Sequence, residues 1–494
     1  MRFLLNQNFS SVDLGEINPN MTVLEWLRSN QLVGSKEGCA SGDCGACTAV
    51  VGELVANNKT TEIKYKSINT CIALAYSLIG KHLVTVEGLA EGDRLHPVQN
   101  AMVLENGSQC GFCTPGFVMS LFALYHNENK TNLAKINEAL SGNLCRCTGY
   151  KPIISAAFLA INKKNKEPLD FYKKNQKQLK EALVKLSDPK NISVSFAKGE
   201  KIINYDAPSN LEELSKVLSN NSSAKIVAAG TDLNLEITQS MKEFPHLVSV
   251  NRVPELKSIS DNGADLEIGA AVSYEDAASI LIGYWPDLDS FLQRFASLPI
   301  KNWATIGGNI ANASPIGDMP PVLIALDAKL KLRKGSKVRI INLEEFFISY
   351  KKTSLDESEF IESIIVPKPN DNERLITHKI SKRYEDDISA VCMALKVTTK
   401  GSHPESVKIA LGGMSGIPQR AIELEKVMLE NWNNDEIVLA SYNALKSEFS
   451  PFSDVRASSE YRLRVTANLV KKSLLILKGL PLENLAHYSV ASKL

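Results

Sequence analysis

The chain has 494 residues, a formal net charge of +1 at pH 7 and 44% hydrophobic residues. This length exceeds what one hydrophobic core supports, so we expect three or four domains, and the near-neutral charge argues against nucleic-acid binding through a basic surface. The sequence has no apolar run approaching the roughly 18 residues of a membrane span and no secretory signal pattern at its N-terminus, so we expect a cytoplasmic protein with no membrane partner.

The first 88 residues predict a small domain of short strands with one helix. Residues 2–5 and 11–17 resemble the arms of a hairpin, and residues 22–30 predict a helix with Thr22 near its N-cap. Further strands are predicted at residues 49–54, 61–65 and 83–86. This pattern favours a β-grasp domain.

Four cysteines in this region form a C-x4-C-x2-C loop with a fourth cysteine downstream: Cys39, Cys44, Cys47 and Cys71. This is the plant-type spacing for a [2Fe–2S] cluster. Gly38, Gly42 and Gly45 allow the backbone to approach the cluster closely and to adopt positive φ angles. A zinc site, which favours two C-x2–4-C knuckles, fits the loop poorly. In a reducing compartment the clustered cysteines also favour metal binding over disulfides.

A second set of four cysteines lies among predicted helices. Cys110 and Cys113 form C-x2-C, and Cys145 and Cys147 form C-x-C. Taken alone, this set is as compatible with a zinc knuckle as with a second cluster. Residues 96–105, 116–126, 133–140 and 152–161 predict four helices, whose positive ends would favour thiolates and an anionic cluster.

A lysine-rich stretch follows at residues 163–190. It contains nine lysines with interleaved acidic residues and few aromatic residues. We interpret it as a solvated linker with helical character over residues 176–186, in preference to a nucleic-acid patch.

Two later segments have the composition of phosphate-binding turns. A strand over residues 225–228 leads into the turn Gly230-Thr231-Asp232, where backbone donors could surround a phosphate. In "KNWATIGGNIANASPIGDMPP" (residues 301–321), a loop-rich stretch, Gly307 and Gly308 would let the backbone approach a pyrophosphate. Thr305 could donate to it, and Asp318 could accept from a ribityl or ribose hydroxyl. A purely structural glycine loop is an equally good interpretation of these residues alone.

The motifs together resemble the molybdenum hydroxylases, the xanthine dehydrogenase and aldehyde oxidase family. "GSQCGFCTPGFVMSLFAL" and "LSGNLCRCTGY" resemble its helical [2Fe–2S] domain, and "AAGTDL" and "ATIGGNIANASPIGD" its FAD domain. "SKRYEDDISAV" and "ALGGMSGIPQRA" resemble its C-terminal flavoprotein domain.

The resemblance implies an α+β multidomain fold in five parts. They are a β-grasp ferredoxin domain (1–88), a four-helix [2Fe–2S] domain (89–163), the linker (164–196), a vanillyl-alcohol-oxidase-type FAD domain (197–370) and a CO-dehydrogenase-flavoprotein-like α+β domain (371–494).

The resemblance also assigns residues to cofactors. All eight N-terminal cysteines would hold the two clusters, and no residue of this chain would be catalytic. FAD contacts would come from Ile226, Val227, Ala228, Ala229, Gly230, Thr231, Asp232, Leu233, Phe295, Thr305, Asp318, Ile361 and Lys379, with Gly307, Gly308 and Asn309 against the pyrophosphate. Gln109 would contact a molybdopterin. Ala229 stands where many relatives have glycine, and its methyl group is expected to tighten the turn.

The implied function is electron transfer in a split xanthine dehydrogenase of purine catabolism. Electrons would run from molybdopterin on a large partner subunit through both [2Fe–2S] clusters to FAD and then to NAD⁺, in an α2β2 heterotetramer. We keep two alternatives: the same role in an aldehyde or N-heterocycle hydroxylase, and a stand-alone iron–sulfur flavoprotein reductase. Cys392 is expected to pack in a strand.

Overall fold

The computed structural model describes residues 1–57, 60–164, 170–186, 190–384, 386–401, 403–432 and 436–479. The chain divides into two compact units. The first comprises Met1–Glu255, Ser273–Glu275 and Ser297–Thr305, and the second comprises Leu256–Val272, Asp276–Ala296 and Ile306–Leu494. Parts of the predicted linker (165–169 and 187–189) and of the predicted last domain (residues 433–435 and 480–494 among them) lie outside the described residues.

The N-terminal region of the first unit is the predicted β-grasp sheet. Its strand order is β2-β1-β5-β3-β4, with β1 (Arg2–Leu5), β2 (Ser11–Asp13), β3 (Thr48–Asn57), β4 (Thr60–Asn69) and β5 (His82–Val84). Helix α1 (Val23–Ser29) begins as predicted, because the Thr22 side chain accepts from the Glu25 amide and the Glu25 carboxylate accepts from the Thr22 amide.

Four helices follow in the places that the sequence predicts. They are α2 (Pro97–Leu104), α3 (Thr114–Asn127), α4 (Leu133–Leu140) and α5 (Lys151–Asn162). Helix α3 is buried along most of its length, and its apolar residues share a core with α2, α4 and α5. The predicted four-helix arrangement is therefore confirmed.

The segment interpreted as a linker is packed where it is described. It forms α6 (Phe171–Lys174) and α7 (Gln176–Leu186), and Tyr172, Leu179 and Leu183 are buried in the same core as the four helices. The Asp170 carboxylate caps α6 and lies within 3.5 Å of His126 Nε2 and 3.9 Å of His96 Nε2. The interpretation of this segment as a largely solvated linker is therefore wrong for residues 170–186.

The first unit continues with a four-stranded sheet. Its order is β6-β7-β9-β8, with β6 (Ile192–Lys198), β7 (Lys201–Ala207), β8 (Lys225–Val227) and β9 (His246–Ser249). Strands β7, β8 and β9 are parallel to one another. Helices α8 (Leu211–Asn220) and α9 (Leu233–Thr238) flank β8, and α12 (Leu298–Lys301) also belongs to this unit.

The second unit contains a five-stranded antiparallel sheet in the order β10-β11-β16-β12-β13, beside the short pair β14–β15. The strands are β10 (Ile259–Asp261), β11 (Asp265–Gly269), β12 (Lys329–Lys334), β13 (Lys337–Asn342), β14 (Phe347–Ser349), β15 (Lys352–Thr353) and β16 (Phe360–Pro367). The helices are α10 (Tyr274–Tyr284, from Asp276 onward in this unit), α11 (Leu288–Arg294), α13 (Ile306–Ala311) and α14 (Met319–Ala325).

The C-terminal part of the second unit is a four-stranded antiparallel sheet with three helices. The strands β17 (Glu373–Ile380), β18 (Val391–Lys400), β19 (His403–Gly412) and β20 (Gln419–Arg420) pair in sequence order, and the helices are α15 (Ile422–Glu430), α16 (Ile437–Glu448) and α17 (Ser459–Leu477). Cys392 is buried in β18. In the part of the chain that is described, no helix is long and apolar enough to cross a bilayer.

Candidate iron–sulfur and flavin sites

The loop of the first cysteine set surrounds its sulfur atoms with backbone donors. The amides of Ser41, Asp43 and Cys44 point at Cys39 Sγ at 3.4, 3.3 and 3.3 Å. The sulfurs of Cys47 and Cys71 lie 3.3 Å apart, and both residues are buried. Hydrogen bonds from Cys44 and Cys71, aided by Ser41, hold the pKa of Cys39 well below its ordinary value. Converging thiols ringed by amide donors suit an anionic iron–sulfur cluster.

Small residues are required in this loop for two different reasons. Gly42 and Gly45 have φ angles of +82° and +68°, which side chains disfavour, and Ala40 tolerates +52°. Gly38 is required for space, since a Cβ there would lie 2.7 Å from Cys44 Sγ. The glycine pattern in the sequence therefore reflects both backbone conformation and close approach.

The second cysteine set lies at the starts of two helices, as predicted. Cys113 immediately precedes α3, and Cys145 and Cys147 precede α5. Burial raises the pKa of Cys113 to about 12, and its contact with Cys145 acts in the same direction. Burial also raises the pKa of Cys145, but the Thr148 hydroxyl at 3.2 Å and the Thr148 amide at 3.4 Å outweigh that effect and lower it.

The two cysteine loops are joined directly. The Leu144 amide donates to the Cys44 carbonyl at 3.0 Å, and Asn143 Nδ2 donates to the Gly45 carbonyl at 3.1 Å. The Ser120 hydroxyl fixes the Asn143 amide by donating to its oxygen at 2.6 Å. A Cβ at Gly45 would lie 2.1 Å from the Gly142 carbonyl, so glycine permits this contact.

The first predicted flavin segment belongs to the first unit. Strand β8 ends at Val227, and the turn reaches α9 through Gly230, whose φ is +75° and whose carbonyl accepts from the Asn234 amide at 2.8 Å. Ala229 is buried in the core of this unit, so its methyl group contributes to packing. Thr305, also in this unit, is buried beside the bridge it forms with Ser273.

The remaining predicted flavin residues belong to the second unit: Phe295, Gly307, Gly308, Asn309, Asp318, Ile361 and Lys379. The predicted loop-rich stretch, residues 301–321, alternates turns with short helices, and Gly307 and Gly308 lie in the first turn of α13. A Cβ at Gly307 would lie 2.6 Å from the Ala270 carbonyl, so Gly307 serves helix–strand packing, whereas Gly308 is exposed.

Asp318 and Lys379, predicted separately, form one buried ion pair. The second carboxylate oxygen of Asp318 accepts from the Ser389 hydroxyl at 2.6 Å, and the Asp318 carbonyl accepts from Cys392 Sγ at 3.3 Å. A carboxylate has about four acceptor positions, so these partners leave capacity for a ligand hydroxyl.

Two orphaned acceptors test whether these segments fit a flavin nucleotide. Among the described residues, Asn234 Oδ1 in the first unit and Asn309 Oδ1 in the second are buried without a hydrogen-bond partner. An unsatisfied buried acceptor costs about 1–3 kcal/mol, so a ligand that donates hydrogen bonds is favoured at each. The hydroxyls and the ring N–H of FAD are such donors, and the residues fit the group.

Several residues of the site have no signal in the sequence. Asn143 and Ser120 lie inside the recognised motif, but their bonds to the other cysteine loop depend on tertiary packing. Asn234 Nδ2 donates to the Ile72 carbonyl at 2.7 Å across 162 positions. Only the folded chain brings these segments together.

Comparison with known families accounts for most of the chain. Residues 15–76 match the 2Fe-2S iron-sulfur cluster binding domain, and residues 85–158 match the [2Fe-2S] binding domain. Residues 200–369 match the FAD binding domain in molybdopterin dehydrogenase, and residues 376–477 match the CO dehydrogenase flavoprotein C-terminal domain. The second cysteine set thus lies in a [2Fe–2S] binding domain, which favours a cluster over a zinc knuckle. These domains define an iron–sulfur flavoprotein, an electron-transfer oxidoreductase.

Individual relatives narrow the family. The chain is 32% identical to a xanthine dehydrogenase of Emericella nidulans over 91% of its own length, and 31% identical to the xanthine dehydrogenase/oxidase of Rattus norvegicus over 85%. It spans 36% and 35% of the lengths of these relatives. The chain is similar to the iron–sulfur and FAD portion of molybdenum hydroxylases of the xanthine dehydrogenase type.

Solved structures show the same fold. A chain of the carbon monoxide dehydrogenase from Hydrogenophaga pseudoflava aligns with a TM-score of 0.52 and 27% identity, covering 54% of this chain and 94% of that one. A chain of quinoline 2-oxidoreductase from Pseudomonas putida 86 aligns with a TM-score of 0.51 at 23% identity, covering 56% of this chain and 96% of that one.

Proposed function

We propose that this chain is the electron-transfer subunit of a split xanthine dehydrogenase. It takes electrons from a molybdenum cofactor on a partner subunit and passes them through two [2Fe–2S] clusters to FAD and on to NAD⁺. The observation that carries the electron-transfer part of this proposal is direct hydrogen bonding among the second cysteine loop, the first cysteine loop and the flavin segment that ends in α9. Leu144 joins the second cysteine loop to the first, and the Thr238 hydroxyl joins α9 to the first loop by donating to the Ala40 carbonyl at 2.8 Å.

When bound, iron–sulfur clusters exchange single electrons, and a flavin collects two and can pass them on as a hydride. The chain's own contribution at the first cluster is to shield two predicted ligands from water and to supply backbone donors. Cys47 and Cys71 are buried, and the amides around Cys39 would stabilise negative charge on its sulfur.

The second cysteine set supports an entry point for electrons from outside the chain. Cys110 and Cys147 are exposed, as is Gln109, the predicted pterin contact. Exposed apolar side chains, Phe112 and Leu144, stand beside these residues in the sequence. Apolar side chains left exposed around redox ligands favour docking of a protein partner.

We propose that this partner is a larger polypeptide that carries the molybdenum site, in an α2β2 heterotetramer. The support is that this chain covers 94% of one chain of the Hydrogenophaga pseudoflava carbon monoxide dehydrogenase, an enzyme with a molybdenum cofactor. Substrate choice would then depend on the partner, and the FAD held by this chain would deliver electrons to NAD⁺.

The test is the metal and flavin content of the protein purified gently from its native host. We expect about four irons and one FAD per copy of this chain, together with molybdenum and a second, larger chain. Iron and FAD without molybdenum or a partner would contradict the split hydroxylase and favour a stand-alone reductase.

A second candidate is the same electron-transfer role with another substrate. The structural similarity to a chain of a carbon monoxide dehydrogenase supports this candidate. The enzyme would then be another hydroxylase, such as an aldehyde or N-heterocycle hydroxylase. Turnover of xanthine, an aldehyde and an N-heterocycle by the purified complex separates them, and absence of xanthine oxidation would exclude the first candidate.

A further inference from the structure

Asn234 connects the flavin turn to the first cysteine loop. It is the second residue of α9 and is completely buried. Its Nδ2 donates to the carbonyl of Ile72 at 2.7 Å, and Ile72 directly follows the cluster ligand Cys71. The side-chain amide of Asn234 therefore contacts the residue that follows Cys71, a predicted cluster ligand.

On the other side, the Asn234 amide group fills the space beside Gly230. A Cβ at Gly230 would lie 2.1 Å from Asn234 Nδ2, and the Asn234 backbone amide donates to the Gly230 carbonyl at 2.8 Å. Glycine at position 230 is therefore required by its φ angle of +75° and by the Asn234 side chain. The side chain spans from the turn to the Ile72–Ala73 peptide.

Two further side chains from this region reach the other end of the cysteine loop. Thr238 donates to the Ala40 carbonyl at 2.8 Å, and Gln239 Nε2 donates to the carbonyls of Ala40 and Cys39 at 2.9 and 3.2 Å. Gln239 is exposed, whereas Asn234 is shielded from water. Of these three side chains, only Asn234 links the flavin turn to the loop through the protein interior.

We propose that Asn234 is a positioning residue that sets the electronic coupling between the first cluster and the flavin. This rests on the proposed function, in which electrons pass between these two groups. In each event one electron leaves the reduced cluster, which is oxidised, and enters the flavin, which is reduced; no covalent bond of the chain forms or breaks. Electron tunnelling weakens steeply across a van der Waals gap, and the Asn234–Ile72 hydrogen bond replaces such a gap with a short, rigid contact.

The experiment uses the complete chain loaded with both clusters and FAD. A photogenerated one-electron donor reduces the protein, and the absorbance changes of cluster and flavin give the rate of internal transfer. Asn234→Leu keeps the number and branching of the side-chain heavy atoms and removes the donor. Asn251→Leu is the matched control, because Asn251 Nδ2 donates to the Ala228 carbonyl of the same turn and has no bond to the cysteine loop.

In chains reconstituted to the wild-type FAD content, we expect Asn234→Leu to slow cluster-to-flavin transfer several-fold, with cluster EPR signals and the reduction potential of the first cluster unchanged. Asn251→Leu should transfer at the wild-type rate. A wild-type rate in Asn234→Leu, or a slower rate matched by a shifted cluster potential, would overturn the proposal. If Asn234→Leu loses its cofactors, Asn234→Ala and Asn234→Ser remove the same donor with less bulk and are judged by the same criteria.

Failure of this inference is distinguishable from failure of the proposed function. A wild-type chain that binds no FAD, or that shows no transfer from cluster to flavin, contradicts the proposed function itself. A wild-type chain that transfers electrons at the same rate as all Asn234 variants contradicts only the role of Asn234.

Discussion

A single methyl group at Gly45 tests how the two cysteine loops are held together. Gly45→Ala places a Cβ 2.1 Å from the Gly142 carbonyl, at a φ of +68°. Gly149→Ala is the matched control, because Gly149 has the same φ of +68° and no atom within 4 Å of its added Cβ. The conformation alone costs roughly 1–2 kcal/mol in either variant, and the clash adds about 1–3 kcal/mol at position 45.

We therefore expect Gly45→Ala to lower the thermal stability of the chain more than Gly149→Ala and to lose iron on gel filtration. Thermal unfolding and iron content measure both effects. Equal losses in the two variants would mean that the contact between Gly45 and Gly142 does not hold the loops together.

The ligand role of a single cysteine is tested by Cys113→Ser. This residue belongs to the second cysteine set and immediately precedes α3. We expect the variant to lose the second cluster and retain the first, so its iron content should fall from about four to about two per chain. Iron analysis and EPR measure the change. Cys392→Ser is the control, since Cys392 is buried in β18 with its Sγ donating to a carbonyl; intact signals from both clusters in Cys113→Ser would refute the assignment.

At the scale of elements, His378 makes the packing of β17 against α17 sensitive to pH. Its Nε2 lies 2.9 Å from the Ser473 hydroxyl, and burial, followed by the charge of Lys472, lowers its pKa from 6.5 to about 3. The unfolded chain binds a proton at this residue near pH 6.5 and the folded chain does not. The contribution of neutral His378 to the stability of the fold is therefore fully present above pH 6.5 and is lost as the pH drops toward 3.

Between pH 7 and pH 5 this histidine should remove about 2 kcal/mol from the free energy of unfolding of its region. His378→Gln retains an amide for Ser473 and removes the proton-binding site, so we expect it to lose correspondingly less over the same interval. Urea unfolding followed by hydrogen exchange of peptides from β17 and α17 measures the difference. Identical pH dependence in both proteins would contradict a buried, neutral His378.

The elements also show what the sequence could and could not predict. The helices at residues 133–140 and 176–186 begin and end where periodicity places them. The cysteine spacing predicted the first cluster site, whereas the second was predicted only by the family resemblance. The packing of Tyr172 and Asp170 against the helical domain had no local signal, because lysine-rich composition masks a few buried positions. The buried pairing of Asp318 with Lys379 likewise depends on strand β17 meeting a distant helix start.

At the scale of the whole molecule, the cysteine loops and the first flavin segment share one compact unit, and the C-terminal domain lies in the other. The cysteine ligands that are exposed are Cys110 and Cys147 of the second set, whereas Cys47 and Cys71 of the first set are buried. This difference in solvent exposure supports the proposed order, in which electrons enter at the second cluster and then pass to the flavin.

The proposed division of labour between subunits leads to a prediction for the isolated, fully loaded chain. It should pass electrons from NADH to an artificial dye, because the flavin segments belong to this chain, and it should not oxidise xanthine, because the molybdenum site is proposed for the partner.

Cys113→Ser should keep the NADH-to-dye rate, because the flavin end does not require the second cluster. Once the partner is added, wild type should couple xanthine oxidation to NAD⁺ reduction, and Cys113→Ser should not. Steady-state assays of both proteins, with and without the partner, measure these rates, and xanthine turnover by the isolated chain would contradict the split arrangement.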